Sequence, residues 1–303
     1  MSLFPASSPL TAGQKTPALV RRERLSLVGK IVWYSVCALL SLTMLFPLLW
    51  MLSIALKGNG DIHQVPPQFF PKEFHFENFI LGPQQIHFPL LFLNTAIITL
   101  LSTVGSVLSS MIVGYGLSRI QFPGRQIWFY VFIGSIFVPP LIGLLPIVRL
   151  AINLGFYDTW LPLILPAWLA NPLYIFLFRQ YSMSIPFSLD EAAKLDGAGH
   201  WSIFWRVMVP LTRPVWMTMA IMAFQASWND YLNPLVYLTS DDKFTLSLGM
   251  GSFAGQFAGV ANTQYNYFMA TNLLYMLPPL LLFFFAQRYF MQGLGALGSV
   301  SQK

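Results

Sequence analysis

The hydrophobic pattern of the chain consists of long apolar stretches separated by short segments that carry most of the charges. A helix needs about 20 predominantly apolar residues to cross the hydrocarbon core of a bilayer. Six stretches are long enough, and they cover residues 31–56, 88–118, 126–148, 159–178, 214–238 and 265–287. The pattern predicts an all-α integral membrane protein with six transmembrane helices, folded as one transmembrane domain over residues 31–288.

The composition indicates that lipid, rather than water, surrounds most of the chain. Of the 303 residues, 55% are hydrophobic and 9% are charged, whereas an ordinary soluble domain carries about 25% charged residues. A soluble protein so poor in charge would expose large apolar patches and associate. Cys37 is the single cysteine, which excludes an intrachain disulfide and a cysteine-rich metal site.

The basic residues are distributed unevenly between the two sides that six spans define. With the N-terminus in the cytoplasm, 13 of the 17 Lys and Arg residues fall on the cytoplasmic side. The four on the outer side are Lys57, Lys72, Arg149 and Lys243. Cytoplasmic loops carry an excess of Lys and Arg, so we expect both termini in the cytoplasm, as tails over residues 1–30 and 289–303. The net charge of +6 then needs no nucleic-acid partner.

The segment 188–210, between the fourth and fifth stretches, has the pattern of two short helices joined by a glycine turn. Ser188 and Glu191 have the S-x-x-E spacing of a capping box, which predicts a helix start. Gly197 follows about two turns later, and glycine tolerates the left-handed conformation that commonly ends a helix. We therefore expect a helix-turn-helix here, in the cytoplasm.

The second of these short helices is expected over residues 201–208, with Pro210 ending it. Its apolar face, expected to pack on the ends of the membrane helices, contains Trp201, Phe204 and Trp205. In the first helix, the small side chains of Ala192 and Ala193 would let another surface approach closely. The residues alone leave two interpretations open, an amphipathic hairpin at the membrane interface and a docking element for a partner.

This segment resembles the EAA loop of the permease subunits of bacterial ABC importers. The family pattern is E-A-A, three residues, G, nine residues, and I-x-L-P. The matching positions here are Glu191, Ala192, Ala193, Gly197 and Pro210, with Val207 and Val209 in place of Ile and Leu. Both substitutions keep an apolar side chain, so the resemblance extends over the whole loop.

Other parts of the chain are similar to the carbohydrate-uptake, MalG-like branch of that family. They are residues 117–125, 158–166, 228–235 and 287–290. The resemblance implies a multi-pass subunit of the bacterial cytoplasmic (inner) membrane that forms the translocation pathway for an oligosaccharide or related sugar. Import of a polyol or a glycerol phosphate is the alternative within the same class.

The resemblance also implies partners. A second, MalF-like permease subunit would pair with this chain, an extracytoplasmic substrate-binding protein would deliver the sugar, and two ATP-binding-cassette ATPase subunits would use ATP and magnesium. The EAA loop would dock in a groove of an ATPase, with Glu191 at the docking surface. Gly197 would form the turn, and Ala192 and Ala193 would allow the close fit.

The chain lacks the motif with which an ATPase would hold nucleotide. Its only Gly-Lys pair, Gly29 and Lys30, is followed by Ile31 instead of Ser or Thr. We find no pair of intramembrane carboxylates, no nucleophile motif and no zinc spacing among the histidines. The sequence therefore predicts a transport subunit that is not an enzyme and binds no cofactor or metal itself. A secondary transporter is the rival class, although no internal repeat is visible.

Polar residues inside the apolar stretches are candidates for a substrate path. Asp230 lies within the fifth stretch, where a charge costs roughly 2.5–3.5 kcal/mol and usually faces a cavity or a partner. Asn229, Asp230 and Asn233 are spaced to share one helix face, and their groups suit sugar hydroxyls. Hydrogen bonds to neighbouring helices are the alternative. Asn94 and Asn171 are further candidates of the same kind.

The loop after the fifth stretch carries small residues at four-residue spacing. They are Gly251, Gly255 and Gly259. Such spacing allows close contact between helices, and the resemblance implies that this face meets the substrate-binding protein. A short helix packed on the bundle is the alternative.

Overall fold

The computed structural model describes the backbone of residues 17–62, 64–256 and 264–300, and the side chains of residues 27–62, 64–254 and 264–287. These residues form helices and no strand, which confirms the all-α class. The α-helices are α1 (Pro17–Ala55), α2 (Asn59–Ile62), α3 (Asn78–Gln84), α4 (Phe88–Arg119), α5 (Arg125–Ser135), α6 (Pro140–Asn153), α7 (Leu161–Ile164), α8 (Pro172–Ser184), α9 (Ser188–Leu195), α10 (His200–Ile203), α11 (Val209–Leu211), α12 (Arg213–Trp228), α13 (Leu232–Tyr237), α14 (Leu246–Gln256) and α15 (Tyr265–Val300). Short 3₁₀-helices span Leu165–Leu169 and Asp241–Lys243, and a π-helix spans Phe204–Met208.

The chain divides into two compact units, residues 1–53 and 54–303. In its described part the first unit is a single helix, α1, which is apolar around its whole circumference from Leu27 onward. Its Thr43 hydroxyl donates back to the Leu39 carbonyl at 2.9 Å, so this polar group is satisfied within the helix. A helix that is apolar all round is typical of a membrane span.

Four described segments are long and apolar enough to cross a bilayer by themselves. They are Leu27–Ala55, Phe88–Arg119, Leu161–Ser184 and Tyr265–Gln287. Two pairs of helices pass the same criteria when each pair is taken as one bent span, α5 with α6 at 96° and the segment His200–Leu211 with α12 at 81°. The protein is thus an all-helical membrane protein with four to six candidate spans. Six results when each bent pair counts as one span, but the second pair covers His200–Trp228 and not the predicted residues 214–238.

The third apolar stretch is not one continuous helix. It divides into α5 and α6, because Pro139 adopts the extended conformation (φ −61°, ψ 127°) and begins a new helix at Pro140. A proline lacks the backbone donor that would continue the helical hydrogen bonds, and its ring clashes with the preceding turn. The prediction of one continuous span over residues 126–148 is therefore corrected to two helices.

The fourth and fifth stretches are also interrupted. In the fourth, the 3₁₀-helix ends at Ala170, which has a positive φ of 67°, and α8 starts afresh at Pro172 and continues to Ser184. In the fifth, α12 ends at Trp228 instead of continuing to residue 238, and α13 begins only at Leu232. The fourth expected span is therefore three shorter helices in succession, and the fifth is a pair.

The core of the second unit forms where α8 and α12 pack against α4. Gly114 on α4 allows the closest approach, since a Cβ at this position would lie 2.9 Å from a ring carbon of Phe178. Small polar side chains on α4 make hydrogen bonds with backbone groups of the interrupted fourth stretch. The Ser102 hydroxyl donates to the Leu163 carbonyl at 3.2 Å, and the Ser110 hydroxyl accepts from the Asn171 amide at 2.9 Å. A serine-rich helix face therefore stabilises the broken span beside it.

Candidate functional site

The segment predicted as a helix-turn-helix forms a hairpin, which comprises residues 188–211 with α9 as its first arm and residues 200–211 as its second arm. The first arm begins at Ser188, as predicted, but the capping box does not form. Phe187 occupies the cap position in a helical conformation (φ −66°, ψ −23°), and no side chain caps the helix. Because Ser188 is already inside the helix, its hydroxyl cannot take the N-cap geometry.

Gly197 ends the first arm in the left-handed conformation (φ 82°), which confirms the predicted turn. The amide of Ala198 reaches back to the Ala193 carbonyl at 2.9 Å, and the Gly197 amide donates to the Lys194 carbonyl at 3.0 Å. These two bonds satisfy carbonyls that the helix end leaves unpaired. No heavy atom lies within 4 Å of the position that a Cβ on Gly197 would take, so the backbone conformation, rather than space, requires glycine here.

The first arm has an exposed side and a side that faces the bundle. Glu191, Ala192 and Gly197 are exposed, whereas Ala193 is half-buried against the apolar core around Tyr115 and Phe178. The exposed side also presents Lys194 and Leu195, and Leu195 is 90% exposed. The residues of the E-A-A segment thus lie together on the first arm, but only Ala192 of the two alanines is exposed on the side that faces away from the bundle.

The second arm is longer and more deeply packed than predicted. It comprises α10, the π-helix and α11, and Pro210 lies within its last turn instead of ending it. Proline leaves the Arg206 carbonyl without its usual donor, and the helix widens into π turns just before that position. Phe204 is buried and its ring centroid lies 5.3 Å from that of Tyr115, as expected, but Trp201 and Trp205 remain 61% and 41% exposed.

A buried ion pair joins the hairpin to the end of α4. Arg119 donates from Nη1 to Asp190 Oδ2 at 3.2 Å, and the two side chains are only 1% and 8% exposed. Sequence reasoning missed this pair, because Arg119 appeared only as the boundary of an apolar stretch. Its only sequence signal is an arginine directly at the end of a span, which does not reveal the partner.

A polar cavity of about 420 Å³ opens beside this ion pair. Its polar lining comprises Arg119, Gln121, Asp190, Glu191, Lys194 and His200. The Tyr115 hydroxyl donates to the His200 carbonyl at 3.2 Å, which ties the start of the second arm to α4. The exposed carboxylate of Glu191 therefore lies at the rim of a polar depression that rigid elements surround.

The candidates for the substrate path are separated by the break in the fifth stretch. Asn229 is the C-terminal cap of α12, where its side chain donates to the Gln225 carbonyl at 2.9 Å and accepts from the Tyr275 hydroxyl at 2.9 Å. Asp230 instead accepts from the backbone and side chain of Asn233, at 3.2 and 2.8 Å. The expectation that all three share one helix face is wrong, because the helix does not continue through them.

Asn229 lines a groove of about 280 Å³ with α15. Its polar members are Gln225, Asn229 and Tyr275, and its apolar members are Met276, Pro279, Leu280 and Phe283. Tyr275 and Gln225 were not singled out from the sequence, although Tyr275 is a polar residue within an apolar stretch. The groove combines amide and hydroxyl groups with apolar surface on two candidate spans.

The other two candidates make hydrogen bonds with the backbone of this chain. The buried Asn94 donates to the carbonyls of Asp242 and Phe244 at 2.8 and 3.0 Å, which ties the start of α4 to the loop before α14. Asn171 caps α8 by accepting from the Leu173 amide at 2.9 Å. These contacts favour the alternative interpretation, in which the two asparagines hold the bundle together.

The loops at the N-terminal end of α4 are fastened by Asp158. Its carboxylate accepts from the Lys243 ammonium at 2.8 Å, from the Ser240 hydroxyl at 2.6 Å, and from the backbone amides of Thr239 and Ser240. Lys243, followed by these hydroxyl and amide donors, holds the pKa of the Asp158 carboxyl far below its ordinary value. The loop after α6 and the loop before α14 are thus clamped together.

The glycine spacing after the fifth stretch is described only in part. Gly251 belongs to α14, and the Tyr231 ring comes so close that a Cβ on Gly251 would lie 2.3 Å from a ring carbon. Gly255 belongs to the same helix, whereas Gly259 lies outside the described residues. Of these three glycines, Gly251 thus serves a close contact within this chain.

Comparisons with known proteins agree with the family that the hairpin sequence indicates. The family model described as "Binding-protein-dependent transport system inner membrane component" matches residues 97–295. The arabinooligosaccharides transport system permease protein AraQ of Bacillus subtilis is 33% identical over 260 residues, which are 84% of this chain and 90% of AraQ. The lactose transport system permease protein LacG of Rhizobium radiobacter is 33% identical over 270 residues, which are 89% of this chain and 96% of LacG.

A solved structure has a similar fold. It is the crystal structure of a bacterial ABC transporter involved in the import of the acidic polysaccharide alginate. Superposition gives a TM-score of 0.76 and covers 88% of this chain and 98% of the other, with 23% sequence identity. The similarity extends over nearly the whole length of that chain.

Proposed function

Since the chain belongs to the family of inner-membrane components of binding-protein-dependent transport systems, we propose that it is the permease subunit of an ATP-binding-cassette importer for an oligosaccharide or related sugar. Relatives that are named for arabinooligosaccharides and lactose support the carbohydrate class. The observation that carries the ATP-driven mechanism is the hairpin, which presents the E-A-A segment on a short helix that ends at the left-handed Gly197.

The exposed side of the first arm is the proposed docking surface for a separate ATPase subunit. Glu191 offers a carboxylate, Ala192 leaves room for close approach, and Leu195 exposes an apolar side chain almost completely. An interface typically combines an apolar centre with a polar rim, and Leu195 beside the exposed Glu191 and Lys194 offers both kinds of group. ATP-driven closure of two ATPases would push on this surface and change the access of the pathway.

The proposed topology has six spans, with both termini and the hairpin in the cytoplasm. The distribution of Lys and Arg supports it. So does the arrangement along α4, whose C-terminal Arg119 contacts the hairpin while Asn94, near its N-terminus, contacts the loop before α14. The proposed domains are a cytoplasmic tail (1–30), the transmembrane domain (31–288) and a second cytoplasmic tail (289–303), in the bacterial inner membrane.

The proposed complex contains a second, MalF-like permease subunit, two ATPase subunits that use ATP and magnesium, and an extracytoplasmic substrate-binding protein. In this complex the present chain is a transport subunit and not an enzyme. The substrate path would pass the groove of Asn229 and Tyr275, whose amide and hydroxyl groups can pair with sugar hydroxyls. The exposed side chain of Asn229, at the C-terminal end of α12, supports this assignment.

An uptake assay tests the proposal through Glu191. We expect Glu191→Ala to lower ATP-driven uptake of labelled oligosaccharides at least tenfold, because the docking surface loses its carboxylate, while the amount of permease in the membrane stays the same. Glu73→Ala, which removes an exposed carboxylate outside the hairpin, is the matched control and should transport normally. Uptake by Glu191→Ala at the control rate would refute the docking role.

A further inference from the structure

We propose that Arg119 is the positioning residue that makes the first arm of the hairpin move as one body with α4 and α8, by holding all three elements through a single guanidinium group. The inference rests on the proposed function, because it concerns how a push on the hairpin reaches the membrane helices. It assigns a role to a residue outside the EAA pattern, at the C-terminal end of α4, about 70 positions before that loop.

The contacts of Arg119 extend to three separate segments. From the last position of α4, its Nη1 donates to Asp190 in the first arm at 3.2 Å. Its Nη2 donates to the Ile185 carbonyl at 2.8 Å and to the Ser182 carbonyl, both at the end of α8. The guanidinium carbon also lies 4.4 Å from the centre of the Phe187 ring, between α8 and the first arm. One side chain therefore joins a span, the end of a second span, and the docking helix.

Burial makes this junction rigid. Both partners of the ion pair are nearly excluded from solvent, so water cannot readily replace either of them when the hairpin is pushed. A buried ion pair is often no more stabilising than a well-packed apolar pair, so its presence is weak evidence for a role in stability alone. Within the described residues, Arg119 Nε and Asp190 Oδ1 have no hydrogen-bond partner. The arrangement is thus costly, and its distinctive property is that it joins three separate elements of the chain.

Arginine suits this bridge because of its shape. The guanidinium group is a planar fork with five donors, so it can reach a carboxylate and two carbonyls at the same time. A lysine at this position would keep the charge but has a single, flexible ammonium group. Arg119→Lys is therefore expected to retain attraction to Asp190 while it loosens the connection to the end of α8.

Arg179 provides a matched control within the same chain. It is also 6% exposed, like Arg119, and also contacts the C-terminal part of α4, where its Nε donates to the Leu117 carbonyl at 3.2 Å. Its guanidinium carbon lies 3.8 Å from the centre of the Phe129 ring on α5. These contacts join membrane helices to one another and do not include the hairpin. Variants at Arg179 thus report the general effect of losing a buried arginine.

The first test measures how much ATP the complex consumes for each sugar transported. The complex of both permeases, ATPases and binding protein is reconstituted in proteoliposomes, with labelled lactose and a labelled arabino-oligosaccharide as probes. In Arg119→Gln we expect uptake per complex to fall at least fivefold and ATP hydrolysis less than twofold, so the ratio of ATP to sugar rises. Arg119→Lys should shift the ratio in the same direction by about twofold to threefold. In Arg179→Gln both rates should fall together.

The second test needs neither ATP hydrolysis nor a known sugar. In a Cys37→Ser background, spin labels are attached through Leu195→Cys on the first arm and Ile112→Cys on α4, both at exposed positions. The distance distribution between the labels should be narrow in the otherwise unaltered protein and in Arg179→Gln, and clearly broader in Arg119→Gln and in Asp190→Asn.

The outcomes separate this inference from the proposed function. An unchanged ratio of ATP to sugar in Arg119→Gln, or an equal change in Arg179→Gln, would overturn the positioning role. A narrow distance distribution in Arg119→Gln would overturn it as well, even if that variant assembles poorly with the ATPase. Absence of ATP-driven uptake in the unaltered complex would instead count against the importer assignment, and the distance measurement would still decide the role of Arg119.

Discussion

At the residue scale, Asn229 combines a structural contact with an available polar group. Its side chain closes the end of α12 through the Gln225 carbonyl and accepts from the Tyr275 hydroxyl, yet the residue remains exposed in the groove. A polar side chain that only stabilised the bundle would be buried against its partners. The exposed amide is therefore the residue in the groove best suited to meet a sugar hydroxyl.

Replacement of Asn229 tests this contact. We expect Asn229→Ala to raise the sugar concentration at half-maximal uptake by about twofold to tenfold, since one hydrogen bond contributes about 0.5–1.5 kcal/mol. The maximal rate and the protein level should change little. The control is Asn233→Ala, which removes a neighbouring amide that bonds to Asp230 and does not line the groove. Equal half-maximal concentrations in both variants would contradict a sugar contact at Asn229.

Single residues differed in how far the sequence could predict them. The role of Gly197 was predictable, because a glycine that follows two helical turns commonly ends the helix in the left-handed conformation. Arg119 was not, because its partners are 63 to 71 positions away in the chain and only the fold brings them to it. Asn94 was identified as a polar residue within a span, but its backbone partners in the loop near residue 243 could not be inferred from spacing.

At the element scale, the turn of the hairpin contains two glycines, and only one of them has a backbone conformation that favours glycine. Gly197 has a φ of 82°, whereas Gly199 is extended with a φ of −74° and a ψ of 166°. Neither glycine has a heavy atom within 4 Å of the position of a Cβ. The two positions therefore differ in backbone conformation and not in available space.

Alanine substitutions at these two positions distinguish the effect of the left-handed turn from the general effect of replacing a glycine. Gly197→Ala would place a side chain in the left-handed region, at a cost of about 1–2 kcal/mol, and should weaken docking of the ATPase. The measurement is the amount of ATPase that co-purifies with the permease. Gly199→Ala should retain the ATPase, because alanine adopts the extended conformation without strain. Equal retention in both variants would show that the turn conformation does not matter for docking.

The elements themselves were predicted in position but not in continuity. Apolar composition correctly located the helical stretches, since a helix needs apolar side chains whether lipid or protein surrounds it. The break at Pro139 has a local cause in the sequence, the proline itself. Near the breaks at Ala170 and Asn229, backbone carbonyls accept from Ser102 on α4 and from Ser247 on α14, and composition does not contain that information. Pro139 and Pro140 are visible in the sequence of the third stretch, but they do not give the angle of 96° between α5 and α6.

At the scale of the whole molecule, the long helix α4 separates two sets of contacts. Its 32 residues correspond to about 48 Å at 1.5 Å per residue, which is sufficient to cross the hydrocarbon core. The hairpin contacts its C-terminal end through Arg119, and the loops clamped by Asp158 and Lys243 surround its N-terminal end through Asn94. If the hairpin meets an ATPase in the cytoplasm, these clamped loops face outward, where a binding protein would deliver the sugar.

Labelling of single cysteines in intact cells tests this arrangement. In a Cys37→Ser background, we expect Asp241→Cys, an exposed position beside the clamp, to react with a membrane-impermeant maleimide added outside spheroplasts. Leu195→Cys on the hairpin should react only after the membrane is permeabilised, although the Leu195 side chain is 90% exposed within the protein's own fold. Because the fold itself leaves Leu195 exposed, protection of that position can arise only from the membrane or from a docked ATPase. Repeating the experiment in cells that lack the ATPase excludes protection by a docked ATPase. Reaction of Leu195→Cys from outside would place the hairpin on the wrong side of the membrane for any cytoplasmic ATPase, and the proposed mechanism would be untenable.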